Sequence, residues 1–325
     1  MLVLFRLFRA HNFTDTPRNA DSIASGGAMD DAAVKESRLL LRRVQDHLFQ
    51  AHTGFGADHE SAGFVDVIHH PSNRLPDLNY VTPRRNTAFV SGKYVQQGLD
   101  RLRELERLPR VQYIEGIFPP MFAQVLASLG LAMERDASIM VYSTSGLSGI
   151  KTPPLRKPRT PSGVRLELTT DERGVELWRK VWRNPDYDVL SLGVEPLAVG
   201  GDGTEQKTGQ EIDVLMYRHD FPIGAARIGV QGVTQSAHVV AAALYRETRS
   251  DQLTKLLLAT ALRAGLARGA TLVFTPGESA ADRAVSQSLG FIDLGRMVCY
   301  AARSEHVNGN QEHDNLAEPV LAMRR

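Results

Sequence analysis

From residue 30 to 50 the chain places Val34, Ser37, Leu41, Val44 and Leu48 three or four positions apart, the spacing that gathers side chains on one face of a helix. Short apolar runs at 64–68 and 79–81 read as strands, and Pro71, Pro76 and Pro83 keep them short because proline donates no ladder hydrogen bond. A helix on Val95, Leu99, Leu102 and Leu105 follows, then a strand at 110–114, a helix on Phe122, Val125, Leu126 and Leu129, and a strand at 138–142. Gly130, just past the last apolar helix position, is the expected stop.

Pro153, Pro154, Pro158 and Pro161 preclude a continuous helix and favour extended backbone, so 148–163 reads as a linker between a half at 29–147 and a half at 164–303. Lys151, Arg156, Lys157 and Arg159, with Arg165 just beyond, make it a basic tether. The second half opens with a strand at 164–168. Thr170 then caps a helix that turns Val175, Trp178 and Val181 or Trp182 inward. Residues 184–210 are rich in Gly, Pro and Asp and read as an irregular loop. Strands at 212–217 and 223–230 meet through His219-Asp220. A strand from His238, a helix from Ser250, a strand at 271–275, a helix at 280–289 and strands around 292 and 297–301 complete the half. Residues 1–28 and 304–325 read as a loose leader and a polar tail.

The two halves echo each other. Ala127-Ser-Leu-Gly-Leu131 and Gln287-Ser-Leu-Gly-Phe291 each end a helix and begin a strand, and Met140-Val-Tyr142 matches Met297-Val-Cys-Tyr300. Without a gap, 111–115 then falls on 271–275, strand on strand.

Length and composition narrow the class. The 325 residues suit two domains, and 42% apolar with 23% charged residues is ordinary for a globular protein. A formal net charge of +1 supplies no general attraction to nucleic acid. The apolar start, broken by Arg6 and Arg9, is too short to span a bilayer, and no membrane partner is read. The single Cys299 rules out an intrachain disulfide and suits a reducing compartment, so the expected location is the cytoplasm. His69-His70 lacks a carboxylate at helical spacing, and no metal site is read there.

The chemistry concentrates after the strand from His238. Its run of small residues ends at Tyr245, Arg249 lies in the turn, and Ser250-Asp-Gln-Leu-Thr254-Lys255 opens a helix whose free N–H groups and positive dipole end favour an anion. This order, strand, helix, loop, antiparallel strands, clamp, helix, strand, helix ending in Gly-Phe, resembles the GNAT superfamily of acyl-CoA-dependent N-acyltransferases over residues 164–303. The resemblance implies an α/β (α+β) fold of two tandem GNAT-like domains, each a mixed, mostly antiparallel sheet flanked by helices. The first domain reads as degenerate, since no arginine-then-helix turn follows a strand there.

The family clamp is Gln or Arg, two residues, Gly, one residue, Gly or Ala. Here Arg249-Ser-Asp-Gln252-Leu-Thr254 keeps the arginine and loses both glycines, and Asp251 adds a negative charge. The resemblance implies that residues 249–255 (Arg249, Ser250, Asp251, Gln252, Leu253, Thr254, Lys255) and Ser279 hold acetyl-CoA or another acyl-CoA. Ala242, Ala243 and Leu244 would line the pantetheine arm, with the Ala242 N–H polarising the thioester. His238 falls where some members carry a general base, and histidine changes charge near neutrality; His219 is a second candidate. The family tyrosine acid is replaced by Ser286, which leaves water, Tyr300 or no acid at all for that role.

Asp186, Asp188, Asp202 and Glu205 in the loop are candidates to receive a cationic amine. The implied reaction is direct transfer to an amine, a small molecule rather than a protein, by an enzyme for which a homodimer is admitted. A non-catalytic acyl-CoA-binding or interaction protein is the alternative.

Overall fold

The computed structural model describes residues 31–145, 155, 158–192 and 211–302, single positions within these spans excepted. The expected leader, the tail, and Lys151, Arg156, Lys157, Val175, Trp178, Trp182, Asp202 and Glu205 lie outside the described residues.

The first half runs α1 (Asp31–Gly54), β1 (Asp58–Ala62), β2 (Val65–His69), β3 (Tyr80–Pro83), α2 (Gly92–Glu104), β4 (Arg110–Glu115), α3 (Met121–Ser128) and β5 (Leu131–Ser143). The second half continues with β6 (Val164–Thr169), β7 (Tyr187–Leu192), β8 (Glu211–Arg218), β9 (Phe221–Gln231), β10 (Ser236–Tyr245), α4 (Asp251–Ala267), β11 (Leu272–Gly277), α5 (Ala280–Ser288) and β12 (Ile292–Ala302). A helical stretch carrying Leu177 and Val181 lies between β6 and β7.

All strands join one mostly antiparallel sheet of twelve, ordered β1-β2-β3-β4-β12-β5-β11-β10-β9-β8-β6, with β7 paired to β10 off this path. The sheets of the two halves run into one another through the last strand of each. β5 leaves its own half to pair with β11, and β12 crosses back to pair with β4, so that β5 and β12 meet antiparallel at the centre. The halves are thereby related by a pseudo-twofold between β5 and β12. Gly130 and Gly290 occupy matching positions before these strands at φ 78° and 92°, where a Cβ would be strained.

Side chains alternate across the sheet, and each face has its own cover. α2 packs Val95, Leu99 and Leu102 against Val65, Val67 and Val81, while α4 and α5 cover the corresponding face of β9, β10 and β11. On the opposite face α1 spans the junction, with Leu40, Leu41, Val44 and Leu48 against Ile114, Ile139, Val141, Leu272, Phe274 and Met297. No helix among the described residues is long and apolar enough to cross a membrane.

Three details depart from the sequence pattern. β1, Asp-His-Glu-Ser-Ala, carries no apolar alternation and goes unpredicted. The two short strands expected near 292 and 297 are one strand with irregular register. The loop expected at 184–210 contains β7.

Beside β3, burial pushes the Asp77 carboxyl up to about 6, against the pull of Arg135. The folded chain therefore binds this proton more tightly than the unfolded chain. The resulting stability is complete below about pH 4 and is lost as pH rises through 6. Asp77→Asn keeps the site neutral, so its melting temperature relative to wild type should rise between pH 4 and pH 7. A pH-independent difference would contradict this assignment.

Candidate functional site

In each half a strand preceding a helix runs parallel to its neighbour for a short distance and then diverges. In the second half β10 pairs with β11 only at Ser236, Ala237 and His238, and a register shift between Val239 and Ala241 turns the strand away. In the first half β3 pairs with β4 only at Val81↔Val111. The pseudo-twofold makes these two openings equivalent, yet their contents differ.

The second opening is filled. β7 lies antiparallel along β10, with Ala242 opposite Ser191, Ala243 opposite Val189 and Leu244 opposite Asp188. The main chain expected to receive a pantetheine arm is thus already flanked by β9 on one edge and β7 on the other. Leu177, Val181 and Tyr187 close the same region against Ala241 and Ala243.

The proposed clamp is likewise engaged. Arg249 Nη1 reaches Asp188 Oδ2 at 3.1 Å, and Arg246 Nε donates to Asp188 Oδ1 at 3.0 Å. Partial burial alone would raise the Asp188 carboxyl, but the hydrogen bonds and charges of the two arginines outweigh it and hold it below its ordinary value. Asp188 is therefore a partner of the clamp arginine. Asp186 lends its carbonyl to the Arg246 N–H.

Ser250 caps α4 with its own Oγ, accepting from Leu253 N, and Asp251 puts an acid in the first turn, unfavourable for a second anion. Gln252 Nε2 donates to Arg159 O at 3.4 Å, and Thr254 Oγ1 donates to Ser250 O at 3.0 Å. Leu253 is buried and Lys255 half-buried.

The remaining expected residues are also placed away from an open slot. His238 is 1% exposed. Its ring stacks on Phe274 with centroids 4.4 Å apart and meets His47 edge-on at 6.0 Å. α1 lies over it, with His47 the ring of that helix that meets it. His219 sits in the β8–β9 turn at φ 48°. Ser279 and Asp282 form a capping box on α5, and Ser286 is buried. Tyr300 rides on β12 into the first half, where it stacks on Tyr113 at 6.4 Å.

The first opening holds a cavity of about 520 Å³, bounded by α1, β1 to β4, Met297 of β12 and the β9–β10 turn. His59, Asp66, Tyr80, Thr82 and Gln112 face it from the strands, and Arg43 and Gln45 from α1. His59 Nε2 lies 3.1 Å from Asp66 Oδ1, and Phe49 meets the imidazole edge-on. Gln45 Oε1 is buried with no hydrogen-bond partner among the described residues, an acceptor left for a ligand N–H. Burial raises the Asp46 carboxyl against the charges of Arg85 and Arg42, with Arg85 Nη2 at 2.7 Å.

The arginines of this half stand farther from a helix than in the arginine-then-helix turn of the family. Arg84 and Arg85 follow β3 directly, and α2 opens at Gly92 after Ser91, whose side chain makes no cap bond, with no acid in the first turn. The sequence signal was present but was spaced differently from the family clamp.

Neither a protein-family model nor a curated protein sequence matches the chain. Among solved structures, a GCN5-related N-acetyltransferase from Kribbella flavida superposes with a TM-score of 0.62 at 17% identity, covering 86% of this chain and 98% of that one. A tandem GNAT protein from the clavulanic acid biosynthesis pathway superposes with a TM-score of 0.51 at 15% identity, covering 85% and 96%. At such identities the likeness concerns the fold alone, and it agrees with the paired openings and exchanged strands: the chain has the fold of a tandem GNAT protein.

Proposed function

We propose that the protein moves an acyl group from an acyl-CoA, acetyl-CoA being the simplest, to a small-molecule amine by direct transfer, and that the thioester enters through the first opening. The observation that carries this reading is the divergence of β3 and β4 over a cavity while the equivalent gap between β10 and β11 is filled by β7. The acyl-CoA supplies an activated carbonyl whose C–S bond breaks as the C–N bond forms.

The chain's own residues supply the rest. Arg84 and Arg85, now ion-paired to Asp66 at 3.4 Å and Asp46 at 2.7 Å, would turn with Lys93 and the N-terminus of α2 toward the anionic end of the donor. Gln45 Oε1 accepts an amide or amine N–H. His59, oriented by Asp66, takes the proton that the acceptor nitrogen must lose. This moves the base assignment from His238 to His59.

Release of free thiol from acetyl-CoA across a panel of amines tests the reading. Thr82→Trp fills the opening and should lower kcat/KM by about tenfold or more, since a bound arm would have to leave. His59→Ala should cost about 10²–10⁴ in kcat. Calorimetric binding of acetyl-CoA without thiol release for any amine would favour the second reading, a non-catalytic acyl-CoA binder, for which the filled second opening already speaks.

A further inference from the structure

β7 fills the second opening in the two ways in which a diphosphate carrying an extended amide arm would fill it. Its backbone pairs with the open edge of β10 from Ala241 to Tyr245. Its one carboxylate in reach, Asp188, takes both arginines that precede α4, at 3.0 and 3.1 Å. The two contacts converge on one short strand, in a gap that the first half leaves open.

The hold is exchangeable. Arg246 and Arg249 are 62% and 45% exposed at the side chain, and ion pairs of that exposure contribute little. Val189 of β7 is exposed as well. Tyr187 is anchored, with its Oη donating to Pro222 O at 2.5 Å and its ring packed near Leu177 and Val181, so exchange concerns the strand from residue 188 onward.

We propose that β7 is an internal stand-in for a diphosphate-bearing ligand, with Asp188 in the place of the phosphates and the strand in the place of the arm. The second half then binds such a ligand only in molecules whose β7 has left β10, and its apparent affinity is lowered by that fraction. The proposal rests on the reading that this chain handles acyl-CoA, but it concerns a separate opening.

Calorimetry with coenzyme A on the full chain tests it in a Thr82→Trp background, which blocks the first opening. Adding Asp188→Ala should tighten binding by about tenfold or more, because the arginines lose their competitor. A further Arg249→Ala should cancel the gain. In hydrogen exchange, coenzyme A should lower the protection of amides 188–192. Unchanged affinity in Asp188→Ala, a gain that survives Arg249→Ala, or unchanged protection in β7 each overturns the proposal. Should Thr82→Trp alone leave coenzyme A binding of the parent untouched, the first-half reading fails while the Asp188 comparison still decides this one. Melting temperatures confirm that each variant is folded.

Discussion

Replacing Arg227 by alanine should lower the unfolding free energy by about 3–5 kcal/mol, as expected when one partner of a buried ion pair is removed. Arg227 on β9 and Asp213 on β8 sit directly opposite each other in the ladder. Their forked contact is closed at 2.8 and 3.0 Å, with both side chains 1% exposed. The neighbourhood has no slack, since a Cβ on Gly174 would overlap the Asp213 carboxylate. Alanine removes the guanidinium that the buried Asp213 carboxylate pairs with, and breaking a buried ion pair from one side costs more than the contact itself is worth. Urea unfolding measures it. The double variant Arg227→Met, Asp213→Leu, which removes both charges and keeps apolar volume, should recover most of the loss. A double variant as unstable as Arg227→Ala would show that packing rather than the broken ion pair sets the cost.

Phe274→Ala should cost about 3–5 kcal/mol, the usual range for deleting a buried aromatic ring. Phe274 lies on β11 beneath α1, stacked on His238 and met edge-on by His47 at 4.9 Å. It also joins the cluster that α1 shares with Ile139, Val141 and Met297 of the exchanged strands, so its loss should loosen both halves in one transition. His238→Ala should also lower the melting temperature while leaving kcat of the remaining folded enzyme near wild type. A double-mutant cycle between the two positions should return about 0.5–1.5 kcal/mol of coupling for the ring pair. A large fall in kcat for a stably folded His238→Ala would return the general base to His238.

Much of this architecture is legible in the amino-acid order because helices and strands are set by local spacing. Val34 to Leu48 on one face, the helix stops at Gly130 and Gly290 and the cap at Ser250 are all visible as short-range patterns. What is not local is not legible. His238 lies near the start of β10 among small neighbours, the place of a base in a cleft, and Phe274 of β11 together with α1, from nearly two hundred residues away, buries it. β7 is missed for a different reason. Its alternation of Tyr187, Val189 and Ser191 with Asp188 is short, and the Gly, Pro and Asp around it dominate any wider window. The clamp is read at Arg249 because the spacing there matches the family, although a cap serine and an acid already satisfy that helix start. Arg84 and Arg85 precede α2 at a spacing that does not match, so the open cavity has no short motif to announce it.

The exchange of β5 and β12 has a consequence for how the chain is made. β4 needs a neighbour that spans Arg296 to Ala301, so during synthesis the first half waits with an exposed edge until Ala301 has left the ribosome. Pairings this distant in sequence form slowly, and an unpaired edge invites other chains. Premature termination anywhere before Ile292 should therefore yield not one good half but two unfinished ones, both dependent on chaperones.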